Sequence, residues 1–185
     1  MEFVHPIKDI HQINRMKKLL IQQSKRDYAF FVVGINTGLR LNDLLHLKVK
    51  HVWNGQTFYD FLHVDNSDPP YFLNDNAKKA LKDYIFSNHD MEPDHYLFKS
   101  QKGNLPPITR QQAYRIINKK AQEIGLTGKV GTHTLRKTFG YHAYKKGVAI
   151  SLLQKIFHHS TASETLHYLD IQNDNDTVIM IDVNL

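Results

Sequence analysis

The chain has 185 residues, a formal charge of +6, a pI near 9.4 and no cysteine. The missing cysteines exclude a disulfide framework and thiolate metal sites and permit a reducing compartment. No apolar run approaches the roughly 18 residues of a membrane span and the N-terminus is no signal peptide, so the expectation is a soluble cytoplasmic protein. Its basic balance favours a polyanionic partner without separating DNA from RNA or a membrane surface, and 41% hydrophobic residues suffice for one globular core.

Residues 1–11, with Pro6, read as an extended lead-in. Ile10, Ile13, Met16, Leu19, Leu20 and Ile21 then recur at helical spacing. The nearby cations Lys17, Lys18, Lys25 and Arg26 fit either a solvated face or contacts to a nucleic-acid backbone. A second helix is predicted from Arg26 to Asn36, too apolar at Tyr28, Phe30, Phe31, Val32 and Val33 to be exposed, with Gly38 ending it and turning the chain into Arg40. Residues 48–75 change character. Val49, Val52 and Trp53, then Phe58 to Val64 and Tyr71 to Leu73, are short β-rich runs separated by turn residues, predicting a small antiparallel sheet of two or three strands.

Helical pattern resumes from Ala77 to Phe86, with Leu81, Tyr84 and Ile85 inward. Residues 87–109 form a loop interrupted by Tyr96-Leu97-Phe98, and Lys99, Lys102 and Gly103 follow as a basic segment able to touch phosphates. Thr109 caps a helix to Ile124 with Ala113, Ile116, Ile117 and Ala121 inward and Arg110, Arg115, Lys119 and Lys120 elsewhere. His133-Thr134-Leu135-Arg136 opens another helix, with His133 and Arg136 on one face and Leu135, Phe139 and Ala143 on an apolar side, stopping at Gly147. A short helix across Leu152, Leu153, Ile156 and Phe157 leads to His158-His159. Thr161 and Glu164 fit a capping box for a last helix carrying Tyr168.

A cation, imidazoles and a phenol are thus gathered on three short helices. That set suits a phosphodiester, because guanidinium forks match its anionic oxygens and keep their charge. Histidine assists by hydrogen bonding or proton transfer, and a tyrosine nucleophile splits an exchange into two reversible steps. Arg40, after the Gly38 turn, supplies a second guanidinium. Taken singly, one of 12 histidines or nine tyrosines is by default an ordinary surface or core residue. Only the ordered combination carries weight.

The series TGLR-x-x-D-L-x-x-L at Thr37 to Leu47, HTLR at His133 to Arg136, and HHS followed by a tyrosine nine residues after His159 resembles the tyrosine recombinase (phage integrase) family. The resemblance runs from about residue 12 to residue 170. It implies a mostly α-helical catalytic domain with a small antiparallel β-sheet over residues 12–170, and a tail, 171–185, whose apolar patch packs either on a neighbouring protomer or on its own domain. By the same resemblance Arg40 and Arg136 bind the phosphate, Asp43 is the acidic residue that follows the first arginine, and His133 and His159 orient the phosphate and assist protonation. Tyr168 would be the nucleophile. His158 stands where the family usually has a small residue, which leaves open which histidine of the pair faces the phosphate.

The implied activity is site-specific cleavage and rejoining of double-stranded DNA through a covalent 3′-phosphotyrosine, as in integration or excision of a mobile element. No metal or other cofactor is implied, no membrane partner, and self-association in a tetrameric synapse on DNA is. A type IB topoisomerase-like relaxation and a DNA-binding regulator with lost or weak turnover are the alternatives. The family's larger members carry an N-terminal DNA-clamping domain, so this sequence is expected to be either a catalytic-domain fragment or a naturally short recombinase. One departure stands out. The family's hairpin lysine, a general acid, has no counterpart in Tyr59 to Tyr71, which carries three aspartates; His63, Lys99 and Lys102 are candidate substitutes.

Overall fold

The computed structural model describes residues 4–62, 70–88, 90–100, 106–131 and 133–171. Its helices are α1 (Ile10–Gln23), α2 (Lys25–Thr37), α3 (Leu41–Leu45), α4 (Asp75–Ile85), α5 (Arg110–Glu123), α6 (Thr134–Lys145), α7 (Ile150–Phe157) and α8 (Ala162–Tyr168), with strands β1 (Phe61–Leu62) and β2 (Tyr71–Phe72) between α3 and α4. The mostly helical fold with a small antiparallel sheet agrees with the sequence expectation.

Side-chain caps set the helix starts. Asp9 accepts from His11 N at the head of α1, and Ser24 accepts from Asp27 N at the head of α2. Ser24 also closes α1, donating its own N–H to Leu20 O, so one residue ends a helix and begins the next. Helix α2 is the central element. Phe30, Phe31, Val32 and Val33 are all 1% exposed or less, and α1, α4 and α6 pack around it. Full burial of side chains of this size is worth about 1.5–3 kcal/mol each, which makes α2 the energetic centre of the core.

Two expectations are corrected here. The β-rich run at Val49 and Val52 forms a short 3-10 helix, Val49–His51, because those side chains enter the core on consecutive turns. Within that run Trp53 pairs as a strand does, in an isolated bridge to Phe58, and the sheet among the described residues has two strands, Phe61 opposite Phe72 and Leu62 opposite Tyr71. Lys120, placed on the outer face of α5 by its charge, is instead buried and held by Glu123 at 2.8 Å.

Helices α7 and α8 place no fully buried side chain in the main core, although Ile156 of α7 packs against it. Leu153, Phe157 and Leu169 form a satellite cluster with Phe139 and Ala143 of α6 beneath it. Gly140 lets that cluster approach, since a Cβ there would meet Leu169 at 2.5 Å and Phe157 at 2.6 Å. The lead-in is pinned rather than loose: Ile7 N donates to Thr138 Oγ1 and Ile7 O lies 2.9 Å from His142 Nε2. Among the described residues no helix is long and apolar enough to cross a membrane.

Candidate active site

The five residues singled out in the sequence line one cavity of about 300 Å³: Arg40, His133, Arg136, His159 and Tyr168. They come from four places. Arg40 is the N-cap residue of α3, two positions after Gly38, whose φ of 70° makes the turn. His133 and Arg136 lie at the head of α6. His159 follows α7, and Tyr168 is the last residue of α8.

Arg136 is the best-anchored of the set, 6% exposed. Its Nη2 donates to Ile156 O at 2.9 Å, and its guanidinium lies 5.0 Å from the centroid of the Phe157 ring. Among the described residues its Nη1 is buried with no hydrogen-bond partner of normal geometry, although the Tyr71 hydroxyl is close enough to the guanidinium to raise its pKa through a hydrogen bond. A buried N–H of a charged group is a strong donor, so this nitrogen suits an anionic acceptor placed in the cavity. Burial lowers the pKa of Arg136, partly offset by Tyr168 and Tyr71, yet a guanidinium stays charged in any ordinary range.

The histidine pair is sorted by the backbone. His158 closes α7 with φ 58° and ψ 43°, a left-handed conformation. That turn leaves His158 exposed, lining a neighbouring apolar cavity with Phe139, Leu153 and Ile156, and sends His159 into the cationic cavity. A left-handed position is also the physical reason for a glycine there. Burial pushes the His159 pKa down, with Arg136 and His158 in the same direction and Glu164 opposing. For His133 desolvation comes first, then the positive charges of Arg110, Lys137 and Arg136. Both shifts favour neutral imidazoles.

Tyr168 is half-buried between Phe157, His159 and Lys137. Lys137 Nζ lies 4.9 Å from its ring centroid. Desolvation raises the phenol pKa and Arg136 opposes it. Thr161 caps α8 by accepting from Glu164 N, but the Glu164 carboxylate accepts from Ser160 N rather than completing the expected capping box on Thr161.

Arg110 also lines the cavity, a residue assigned by sequence only to the outer side of its helix. It is exposed at the first turn of α5, where periodicity carries no signal for a site 23 positions before the HTLR motif. Of the candidate substitutes for the missing lysine, Lys99 is not at this cavity. It is buried near Ser24 and Tyr84 and donates to Asp90 O. His63 and Lys102 lie outside the described residues.

Residues 8–175 match the model of the phage integrase family. The chain belongs to that family. It is 39% identical over 174 residues to the "Probable integrase/recombinase YoeC" of Bacillus subtilis (strain 168), covering 94% of this chain and 93% of that protein. A tyrosine recombinase of Pseudothermotoga lettingae is 30% identical over 85% of this chain, and this chain spans 54% of its length. The chain likewise spans half of the XerD tyrosine recombinase of Corynebacterium glutamicum. A crystal structure of XerA recombinase superposes with a TM-score of 0.73 at 25% identity, over 92% of this chain and 60% of that one. The Tn1549 transposon integrase, solved with transposon right end DNA, shares the fold at a TM-score of 0.65 and 21% identity, over 91% and 62% of the two chains. These likenesses are to integrases and tyrosine recombinases, and they lend nothing to the topoisomerase or regulator alternatives.

Proposed function

We propose that this integrase-family chain carries out site-specific cleavage and rejoining of double-stranded DNA, with Arg40, His133, Arg136, His159 and Tyr168 as its catalytic residues. The observation that carries this reading is the single cavity lined by Arg40, His133, Arg136, His159 and Tyr168, in which the buried Nη1 of Arg136 has no partner of normal geometry among the described residues. Two guanidiniums supply charge-assisted donors to the non-bridging oxygens as negative charge builds on them. The Tyr168 Oη–phosphorus bond forms while the bond from phosphorus to the 5′ oxygen breaks. The phenol proton leaves to an imidazole or to water, and the departing 5′ oxygen takes a proton from a donor or from water. The 3′-phosphotyrosine keeps the phosphodiester's energy, so attack by a free 5′ hydroxyl reverses the step.

In this reading residues 12–170 form the catalytic unit and the chain works in the cytoplasm on attachment sites of a phage or other mobile element. Four copies assemble on two duplexes. The apolar tail residues Val178, Ile179, Met180, Ile181 and Val183 lie outside the described residues, and in this reading they dock on a neighbouring protomer. Deleting residues 175–185 then abolishes synapsis before it abolishes cleavage. Equal loss of fold and synapsis removes the assembly role.

The decisive experiment is trapping. A nicked duplex built from the DNA flanking the coding region is expected to yield a covalent adduct with the wild-type protein and none with Tyr168→Phe, whose DNA affinity and melting temperature stay close to wild type. An adduct from Tyr168→Phe would move the nucleophile elsewhere. Tyr141 and Tyr144 of α6 would be examined next, although neither lines this cavity.

A further inference from the structure

Thr165, in the middle of α8, is 0% exposed. Its Oγ1 lies 3.2 Å from Thr161 O and 3.1 Å from His159 Nδ1. A hydroxyl has one proton to give, and a carbonyl oxygen accepts only. If that proton went to His159, Oγ1 and Thr161 O would face each other lone pair to lone pair at 3.2 Å. The favourable arrangement sends it to Thr161 O, the back-bond that helical threonines make to the carbonyl four residues earlier. Oγ1 then offers His159 only lone pairs, and Nδ1 must carry a hydrogen. In a neutral imidazole the other nitrogen is then the acceptor.

We propose that Thr165 is a positioning residue: it holds neutral His159 as the Nδ1–H tautomer and leaves Nε2 as a hydrogen-bond acceptor for the cavity. This polarity has a consequence for the proposed strand cleavage, on which its functional part rests. Phosphate oxygens are acceptors too, so neutral His159 has nothing to donate to them. It must first gain a proton, and the Tyr168 phenol releases one as it attacks, whereas the Arg136 guanidinium keeps its own. The Tyr168 ring stands edge-on to His159 with centroids 5.0 Å apart. Once protonated, His159 donates from both nitrogens, to Thr165 and to the phosphate. Burial lowers the pKa of the ring, with Glu164 opposing and Arg136 and His158 adding to it, a net shift that favours the neutral form.

The test is ¹⁵N NMR of histidine-labelled protein at a pH where the ring is neutral, with His159 assigned by the signals lost in His159→Gln. The expected spectrum has a protonated Nδ1 and an unprotonated Nε2. Thr165→Val keeps the shape and removes the hydroxyl, and is expected to release the ring to the Nε2–H form that free histidine prefers. Thr165→Ser is expected to restore the wild-type pattern. On the trapping duplex, Thr165→Val should slow adduct formation about tenfold, the equivalent of one positioned hydrogen bond, with Thr165→Ser near wild type. A wild-type ring protonated at Nε2, or a tautomer unchanged in Thr165→Val, overturns the proposal. Should the valine variant not fold, the wild-type and serine spectra decide alone. Absence of adduct from the wild-type protein would count against strand cleavage, while the tautomer is settled by the spectra independently.

Discussion

The ring of Phe139 occupies the space that a side chain at Gly38 would need: a Cβ there would stand 2.4 Å from Phe139 Cδ1. This contact ties the TGLR turn to the HTLR helix and so sets Arg40 relative to Arg136. Gly38→Ala is expected to meet both the clash and a φ of 70°. The left-handed strain costs about 1–2 kcal/mol and overpacking about 1–3 kcal/mol, so an overall loss of about 2–4 kcal/mol should appear in urea unfolding. A loss under about 1 kcal/mol would mean that Phe139 moves aside freely.

Arg110 is expected to bind the DNA backbone from the rim of the cavity. Replacing one phosphate-contacting cation weakens binding roughly uniformly across sequences and reduces the slope of log affinity against log salt by about one. Arg110→Ala should show both effects in a salt titration of duplex binding. An unchanged slope would assign Arg110 to a solvated helix start.

Asp170, two residues beyond Tyr168, is gripped by the lead-in: Lys8 Nζ lies 2.9 Å and His5 Nδ1 3.1 Å from its Oδ2. Partial burial raises its pKa, but hydrogen bonds from Lys8 and His5 outweigh that and the net shift is downward from 3.8. A depressed carboxyl pKa contributes stability above the unfolded value and loses it as pH falls through the folded one. The melting temperature of wild type should therefore fall more steeply than that of Asp170→Asn below about pH 4, with a constant gap above about pH 5. The pair is partly solvated, so the gap should correspond to less than about 1 kcal/mol. Parallel curves across the acid range would show that the contact carries no charge-dependent stability.

Leaving-group protonation is expected to limit cleavage. Lys99 lines a different cavity, and Asp60 of the lysine-free span is paired with Lys78. General-acid assistance is typically worth about 10²–10⁴-fold. A substrate with sulfur in place of the bridging 5′ oxygen, whose thiolate leaves without a proton, should be cleaved much faster than ordinary DNA while still requiring Tyr168. Equal rates would place a working acid elsewhere in the protein or make another step limiting.

The sequence by itself determined most of the helices, the caps at Thr109 and Thr161 and the five candidate residues, because these signals are local or ordered along the chain. Capping at Thr109 and Thr161, the apolar run of α2 and the glycine turn before Arg40 all depend on neighbours within a few positions. Tertiary structure alone decided what depends on contacts between distant segments. Val49 and Val52 had strand-forming side chains, yet the core accepted them on a 3-10 turn. Arg110 and Lys120 had the same charge on one helix, yet the cavity took the first and Glu123 buried the second. His158 and His159 were chemically identical neighbours. A left-handed residue at the end of α7 separated them, turning one ring outward and the other toward Thr165.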